Sequence, residues 1–423
     1  MSNAAMAAVV PEVPDAPRPA WKPGDYTRVP YWVFNDQDNF RREMQRIHRG
    51  PHWNFLCLEA DLPEPGDFRT TFVGDMPVIV TRGEDGRINC FENRCAHRGA
   101  LLTLQNFGHA SDFTCVYHAW RFDLEGTLRS VAFARGVNGK GGMPESFRME
   151  EHGPRKLRVE STCGLLFATL SADTPPLEGY IGEDVLAKVR RVLFKPLRVL
   201  GEYTQVLPNN WKLYFENVKD PYHASILHTF FATFKITRLS QGGGVIVDPS
   251  GGNHVSATDP PKSRTDAAYD QAGLRSNKEN EFRLHDPSIL EVVDEVGDGC
   301  NVQILSVFPG FVMATTQNSM GVRQIIPKGT GLTHLRWTFF SYEDDSEQLL
   351  TMRLRHANLV GPAGYVSMED GAVGGFVQRG IAAAEEFASV MEMGGHGTES
   401  QEFRVTESSI RGFWKAYRNS MGI

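Results

Sequence analysis

The sequence predicts an α+β protein, with a small β domain ahead of a larger domain of antiparallel strands and flanking helices. Three observations carry that reading. Short β-rich runs punctuated by turn residues fill the stretch from about residue 52 to 171. Four longer runs follow between Asn301 and Tyr342, joined by connections too short for crossovers, so their pairing is antiparallel. Helical spacing brackets both regions, at Phe40, Met44 and Ile47 and again at Ile410, Phe413, Trp414 and Tyr417.

Met1 to Gly24 is rich in Ala, Pro and Val and lacks a basic n-region, so residues 1–24 read as a flexible tail and not a signal peptide. Residues 25–51 form a helical segment capped by Asp36 or Asp38 and packed on the later domain. The period changes after His52. Val78–Thr81 and Ile88–Phe91 flank Asp85-Gly86 as a hairpin; Trp120–Asp123 and Gly126–Leu128 read as another. Leu165–Leu170 is the last strand of the β domain, 52–171, which ends near Pro175-Pro176. In the second domain, 172–423, strands are expected at Asn301–Phe308, Phe311–Thr316, Met320–Ile326 and Leu335–Tyr342. A helix follows over Glu347–Leu359, capped by Asp345 or Ser346. The polar stretch Ser256–Glu281 reads as a solvated insertion, with a mobile loop beside the active site as the alternative.

Hydrophobic content of 41% and charged content of 22% are those of a soluble globular chain. The net charge of −7 argues against a nucleic-acid partner. No apolar run is long enough to span a bilayer, and no targeting signal is evident, so a cytoplasmic protein is expected. Of six cysteines, Cys57, Cys90, Cys163 and Cys300 have no histidine at ligand spacing and read as packing residues or inert thiols.

Cys95 and Cys115 are different. Cys95-Ala96-His97 and Cys115-Val116-Tyr117-His118 each place a thiolate and an imidazole on one tight loop. Two thiolates plus two imidazoles suit a [2Fe–2S] cluster with mixed ligands, whose potential lies above that of an all-cysteine cluster. A structural zinc site uses the same ligand types and is the alternative.

A second constellation is Glu216-Asn217, Asp220-Pro221-Tyr222-His223 and His228. Two histidines with a distant carboxylate suit a mononuclear iron(II) with open positions for dioxygen. His223 and His228 are five residues apart, about 140° around an ideal helix, so one regular helix cannot aim both at one metal. Pro221 disfavours helix at Asp220, and irregular backbone is expected there. Composition alone does not separate Asp370 from Glu369, Asp344 or Asp345 as the third ligand.

Asn93-Arg94-Cys95-Ala96-His97-Arg98-Gly99 and Cys115-Val116-Tyr117-His118 resemble the Rieske domain of aromatic-ring-hydroxylating oxygenase large subunits. From about Asp25 onward the chain is similar to the terephthalate dioxygenase group of that family, with anthranilate, ortho-halobenzoate and salicylate enzymes as neighbours. The stretches that carry this likeness are Leu207–Asn217, Gly244–Asp248 and Ser367–Gly380.

The resemblance implies a Rieske β domain inserted before a helix-grip-type catalytic domain. It implies a [2Fe–2S] cluster on Cys95, His97, Cys115 and His118, and iron(II) on His223, His228 and Asp370, the last chosen because it follows a similar Gly-Pro-Ala-Gly segment. It implies that Asp220 bridges a cluster histidine of one subunit to an iron histidine of the next, and that Asn217 stands beside the iron. Arg323 and Arg404 match the arginines that anchor the two para-carboxylates of terephthalate; alternation puts Arg323 on the face of Ile325.

The implied activity is addition of both atoms of O2 to an aromatic carboxylate, giving a cis-dihydrodiol, with terephthalate as substrate. Anthranilate or ortho-halobenzoate dioxygenation and salicylate-type monooxygenation are the alternatives. Implied partners are a small β subunit in an α3β3 assembly, and a reductase with or without a ferredoxin. The chain has no Gly-x-Gly-x-x-Gly strand–helix fingerprint, so no NADH or flavin site is expected. A Rieske electron carrier without catalysis, or a zinc-stabilised binding protein, are the readings from other classes.

Overall fold

The computed structural model describes residues 19–259, 267–274 and 282–423. It opens with β1 (Arg28–Pro30), α1 (Trp32–Asn35) and α2 (Gln37–Glu43), the last continuing as a π turn to His48. Asp36 caps α2 by accepting from the Asn39 amide. The expected tail ends earlier than Gly24: Trp21 is buried, edge-on to Trp414 at 5.5 Å, because its indole finds an apolar wall there. Residues before 19 lie outside the described residues. β1, unforeseen within the helical segment, pairs antiparallel with a distant strand near residue 389.

The first domain holds β2 (Asn54–Leu58), β3 (Asp67–Val73), β4 (Met76–Arg82), β5 (Ile88–Glu92), β6 (Phe107–His109), β7 (Asp112–Thr114), β8 (Arg121–Asp123), β9 (Leu128–Ser130), β10 (Lys156–Thr162) and β11 (Leu165–Thr169). Seven strands form one sheet in the order β2-β11-β10-β5-β4-β3-β6, and β7-β8-β9 form a smaller one. Cys57 and Cys90 sit in the apolar core of this domain, where burial pushes both thiols up and leaves them inert.

Two helices, α3 (Leu177–Ile181) and α4 (Glu183–Val192), lead to β12 (Leu197–Leu207), α5 (Trp211–Asn217), α6 (Ala224–Leu227) and α7 (Thr229–Phe234). Then come β13 (Gly243–Val247), β14 (His254–Thr258), α8 (Ala267–Gln271), β15 (Val302–Val307), β16 (Phe311–Thr316), β17 (Ser319–Gly329) and β18 (Leu332–Tyr342). The chain closes with α9 (Glu347–Val360), α10 (Tyr365–Ile381), β19 (Ala388–Val390) and α11 (Ser408–Met421). The large sheet runs β12-β18-β17-β16-β15-β14-β13, antiparallel throughout. The polar insertion therefore starts later than expected, because Ser256–Thr258 are in β14, paired with Val302–Ile304; residues 260–266 and 275–281 of that stretch lie outside the described residues.

Register assigns the two faces of this sheet. Val255, Leu305, Met313 and Val322 are paired across it and share a core with α3, α4 and Phe55 and Phe167 of the first domain. The two domains thus meet through continuous apolar packing. Gln324 seals the join: its side-chain amide Nε2 donates to the Phe55 and Phe72 carbonyls at 2.7 and 3.0 Å, and its Oε1 accepts from Thr71. The other face carries Ser256, Ile304, Thr316 and Arg323 toward α5, α6 and α10.

Helix α5 is fixed from beneath. Lys212 and Glu43 form an ion pair at 2.7 Å, fully buried, and Glu43 also accepts from Asn39, Trp211 and Tyr417. This joins α2, α5 and α11 and satisfies a charge pair that burial would otherwise make costly. Helix α10 was not foreseen, since Gly371, Gly374, Gly375 and Gly380 weaken helical propensity. Contact explains two of them: a Cβ at Gly374 would sit 2.2 Å from Asn209 Nδ2, and one at Gly371 3.0 Å from Gln205 Nε2. The glycines let α10 lie close against the end of β12. No helix among the described residues is long and apolar enough to cross a membrane.

Candidate metal centres and substrate cavity

The two Cys/His loops are geometric copies. The Cys95 amide donates to the Ala100 carbonyl at 2.7 Å, and the Cys115 amide to the Trp120 carbonyl at 2.8 Å. The Gly99 amide returns to the Cys95 carbonyl as the Ala119 amide returns to Cys115. The fifth residue of each loop takes positive φ, +76° at Gly99 and +52° at Ala119. Each loop thus turns its thiol inward, and both cysteines are buried. The histidines face outward, with ring centroids 4.4 Å apart; His97 stacks on Trp120 at 5.0 Å. Burial pushes the Cys95 thiol up, a strain that a bound cation relieves by holding the thiolate.

A single tetrahedral zinc would bring its four ligand atoms within about 3.3–3.8 Å of one another. Among the described residues, these four do not form such a convergent group. Ligands divided between two irons are expected to spread in this way, cysteines to the inner iron and histidines to the outer. Two thiols and two imidazoles on paired loops are a donor set that fits such a cluster.

The second constellation does converge. His223, His228 and Asp370 offer ligand atoms that all lie within 4.8 Å of one another. His223 Nε2 and His228 Nε2 are each 3.4 Å from Asp370 Oδ1. The backbone breaks as the spacing demanded: His223 precedes α6, and His228 separates α6 from α7 with ψ of 88°. Asp370 arrives from α10 and is buried. Of the other acids left open by sequence, Asp344 pairs with Lys195 and Asp345 with Arg353. Glu369 instead meets His228 Nδ1 at 2.8 Å, a contact that sequence reasoning missed. Its only signal was the Glu-Asp doublet, which had suggested rival ligands and not two roles.

Asp220 Oδ1 accepts from the Tyr222 amide at 2.8 Å, and its Oδ2 lies 3.2 Å from His223 Nδ1, off the direction of a regular hydrogen bond. Asn217, at the end of α5, donates through Nδ2 to Asp370 Oδ1 at 3.1 Å. Burial would lower His223, but Asp220 and Asp370 outweigh it and raise the imidazole to about 10. Burial would raise Asp370, yet the two histidines hold it below the usual carboxylate range. Three carboxylates around two imidazoles leave a negative surplus that a divalent cation neutralises.

The same cavity contains Arg323 and Arg404. Arg323 donates to the Tyr214 hydroxyl at 3.0 Å, and its guanidinium lies 3.9 Å over the Trp337 ring. Arg404 donates to the Arg238 carbonyl and Thr237 Oγ1, both at 3.0 Å. Burial pulls Arg404 down to about 10, so it stays a cation at neutral pH. The buried Nε–H of each arginine has no acceptor among the described residues. The cavity thus combines a metal-binding corner, apolar walls such as Val302 and Ile304, and two cations.

Residues 52–138 match the Rieske [2Fe-2S] domain model, and residues 194–423 match the ring hydroxylating alpha subunit catalytic domain. The chain is 56% identical over 402 residues to a terephthalate 1,2-dioxygenase terminal oxygenase component subunit alpha 2 from Comamonas sp, covering 95% of this chain and 97% of that protein. It is 47% identical to an anthranilate 1,2-dioxygenase large subunit from Burkholderia cepacia, covering 94% of each. Naphthalene 1,2-dioxygenase from Rhodococcus sp. shares the fold, with a TM-score of 0.77 at 22% identity over 93% of this chain and 94% of that one.

Proposed function

This chain belongs to the ring-hydroxylating oxygenase α subunits, and on that premise we propose that it dioxygenates terephthalate. It is an enzyme with a Rieske [2Fe–2S] cluster and a mononuclear iron, the α subunit of a multicomponent oxygenase. The observation that carries the substrate is the pair of buried arginines, each with an unused Nε–H, in the cavity that holds His223, His228 and Asp370. Guanidinium matches carboxylate geometry, and burying an aromatic dianion requires cations to offset its desolvation. Two arginines suit a dicarboxylate; a benzoate needs one.

Arg323 is held rigid by Tyr214 and Trp337, and Arg404 by two acceptors. Each therefore binds carboxylate without first ordering its own side chain. Anchoring the ring through its carboxylates presents one edge toward the metal corner, while the apolar walls exclude water. When bound at His223, His228 and Asp370, iron supplies the site at which dioxygen is activated. Overall, the ring and O2 take up two electrons and two protons to give a cis-1,2-dihydrodiol dicarboxylate. His118 of one copy, Asp220 of the next and its His223 would form the path for electrons between the two centres, which calls for a ring of α chains. A β subunit in an α3β3 assembly, a reductase with or without a ferredoxin, and a cytoplasmic location complete the reading.

The test is turnover of terephthalate, anthranilate and 2-chlorobenzoate with product identification. Terephthalate should give a cis-diol most efficiently. Replacing either arginine by Gln should cost terephthalate about 1.5–3 kcal/mol, roughly 10- to 150-fold in kcat/KM. Rapid diol formation from a monocarboxylate alone would sink the dicarboxylate reading.

A further inference from the structure

We propose that Glu369 is a positioning residue for the mononuclear metal, holding His228 in the orientation and tautomer that aim Nε2 at the metal. The proposal rests on the ligand set of the preceding section and extends it by one residue.

The two imidazoles of the corner are used alike. Each turns Nε2 toward Asp370 Oδ1, at 3.4 Å in both cases. Each therefore points Nδ1 away from the metal, toward a carboxylate: Asp220 for His223 and Glu369 for His228. The two supports differ in kind. Glu369 Oε2 accepts from His228 Nδ1–H at 2.8 Å, a regular hydrogen bond. Asp220 lies off the hydrogen-bond direction and has its other oxygen on a backbone amide.

His228 is buried where His223 is partly exposed, with side-chain exposures of 4% and 21%. A neutral imidazole carries one N–H. An acceptor on Nδ1 fixes that proton there and leaves the Nε2 lone pair free for a metal. Without it, the buried ring has no reason to prefer that tautomer over the one with Nε2 protonated, which cannot ligate.

Helix geometry explains why successive residues serve two purposes. Neighbours on α10 point about 100° apart, so Asp370 reaches the Nε2 side of the histidines while Glu369 reaches around to the Nδ1 side of His228. The helix that brings a ligand thereby also brings the group that orients a second ligand, and one packing contact sets both. A carboxylate on Nδ1 additionally makes the imidazole a stronger donor.

The experiment uses the full chain in its assembled oxygenase. Iron release to a ferrous chelator is followed for wild type, Glu369→Gln, Glu369→Ala and His228→Ala, with the Rieske optical spectrum and the melting of iron-depleted protein measured on each. Glu369→Ala should lose iron roughly 10- to 100-fold more readily, the range for residues that support a metal ligand. Glu369→Gln, which keeps an acceptor oxygen, should recover most of that loss. The Rieske spectrum and the melting of the iron-depleted protein should not move. Wild-type iron retention in Glu369→Ala would overturn the proposal, as would a Gln variant no better than Ala, or iron loss that tracks a fall in the melting of the iron-depleted protein. Wild-type retention in His228→Ala would instead overturn the ligand set itself.

Discussion

The two candidate metal centres are built in opposite ways. The proposed cluster site is local: two loops of the same turn geometry each offer a cysteine and a histidine within four residues, and the sheet has only to set the loops side by side. The proposed iron site is assembled across the chain. Its histidines flank a helix break, its carboxylate lies 153 positions beyond Asn217, and α5 is held by a buried ion pair to a glutamate 169 positions earlier. A local site survives damage elsewhere in the fold; a distributed one fails with its supports.

Removing the buried partner of Lys212 is the strongest way to separate them. Glu43→Ala leaves an uncompensated buried charge beneath α5 and should destabilise the second domain by about 3–5 kcal/mol. Iron should be lost on heating well before the Rieske absorbance fades, followed by metal analysis and visible spectroscopy across one melt. Simultaneous loss would break the contrast and show one cooperative unit.

A change at the junction of the two centres tests their connection. Asp220→Asn should keep both metals yet slow reoxidation of the reduced cluster roughly 10- to 100-fold in single-turnover experiments. Loss of iron in that variant would give Asp220 a ligand or folding role.

Acid offers a milder probe of the distributed site. His48 lies beneath α5, its ring 5.4 Å from that of Trp211, and burial lowers it to about 4 from an ordinary value of 6.5. The unfolded chain takes up this proton first, so stability falls as pH drops from 6.5 through 4. Glu216, raised to about 8 by burial, acts in the opposite sense, its contribution falling as pH rises from 4.5 through 8. Melting wild type and His48→Gln at pH 7, 5.5 and 4.5 isolates the histidine: wild type should lose more stability on acidification than the variant.

The smallest effect belongs to the local site. Gly99→Ala puts a side chain on a residue at φ +76°, where its nearest neighbour would be Arg94 Cδ in ordinary contact at 4.0 Å, so backbone strain dominates. It should cost the cluster domain about 1 kcal/mol, seen as earlier thermal loss of the Rieske absorbance. Iron retention at ordinary temperature should stay as in wild type.

The same contrast divides what was legible without coordinates. By itself the sequence determined the α+β class, the hairpins of the first domain and the run of antiparallel strands, because alternation and turn residues act over a few positions. It displayed the two Cys/His pairs for the same reason, since each pair lies within one turn. It also determined that His223 and His228 need a broken helix, which the ends of α6 and α7 supply.

Only the tertiary structure decided the rest. Four acids were equal candidates by composition, and the fold gave them different partners: the packing of α10 against β12 brings Asp370 to the metal-binding corner and Glu369 to His228, while Asp344 and Asp345, between β18 and α9, meet Lys195 and Arg353. Helix α10 itself was hidden, because glycines that weaken a helix in isolation are what permit its close approach to Gln205 and Asn209. Trp21 read as tail until the wall formed by α11 was in place. Local spacing carries local chemistry; partners far apart in the chain are chosen by burial and shape, which no window of sequence contains.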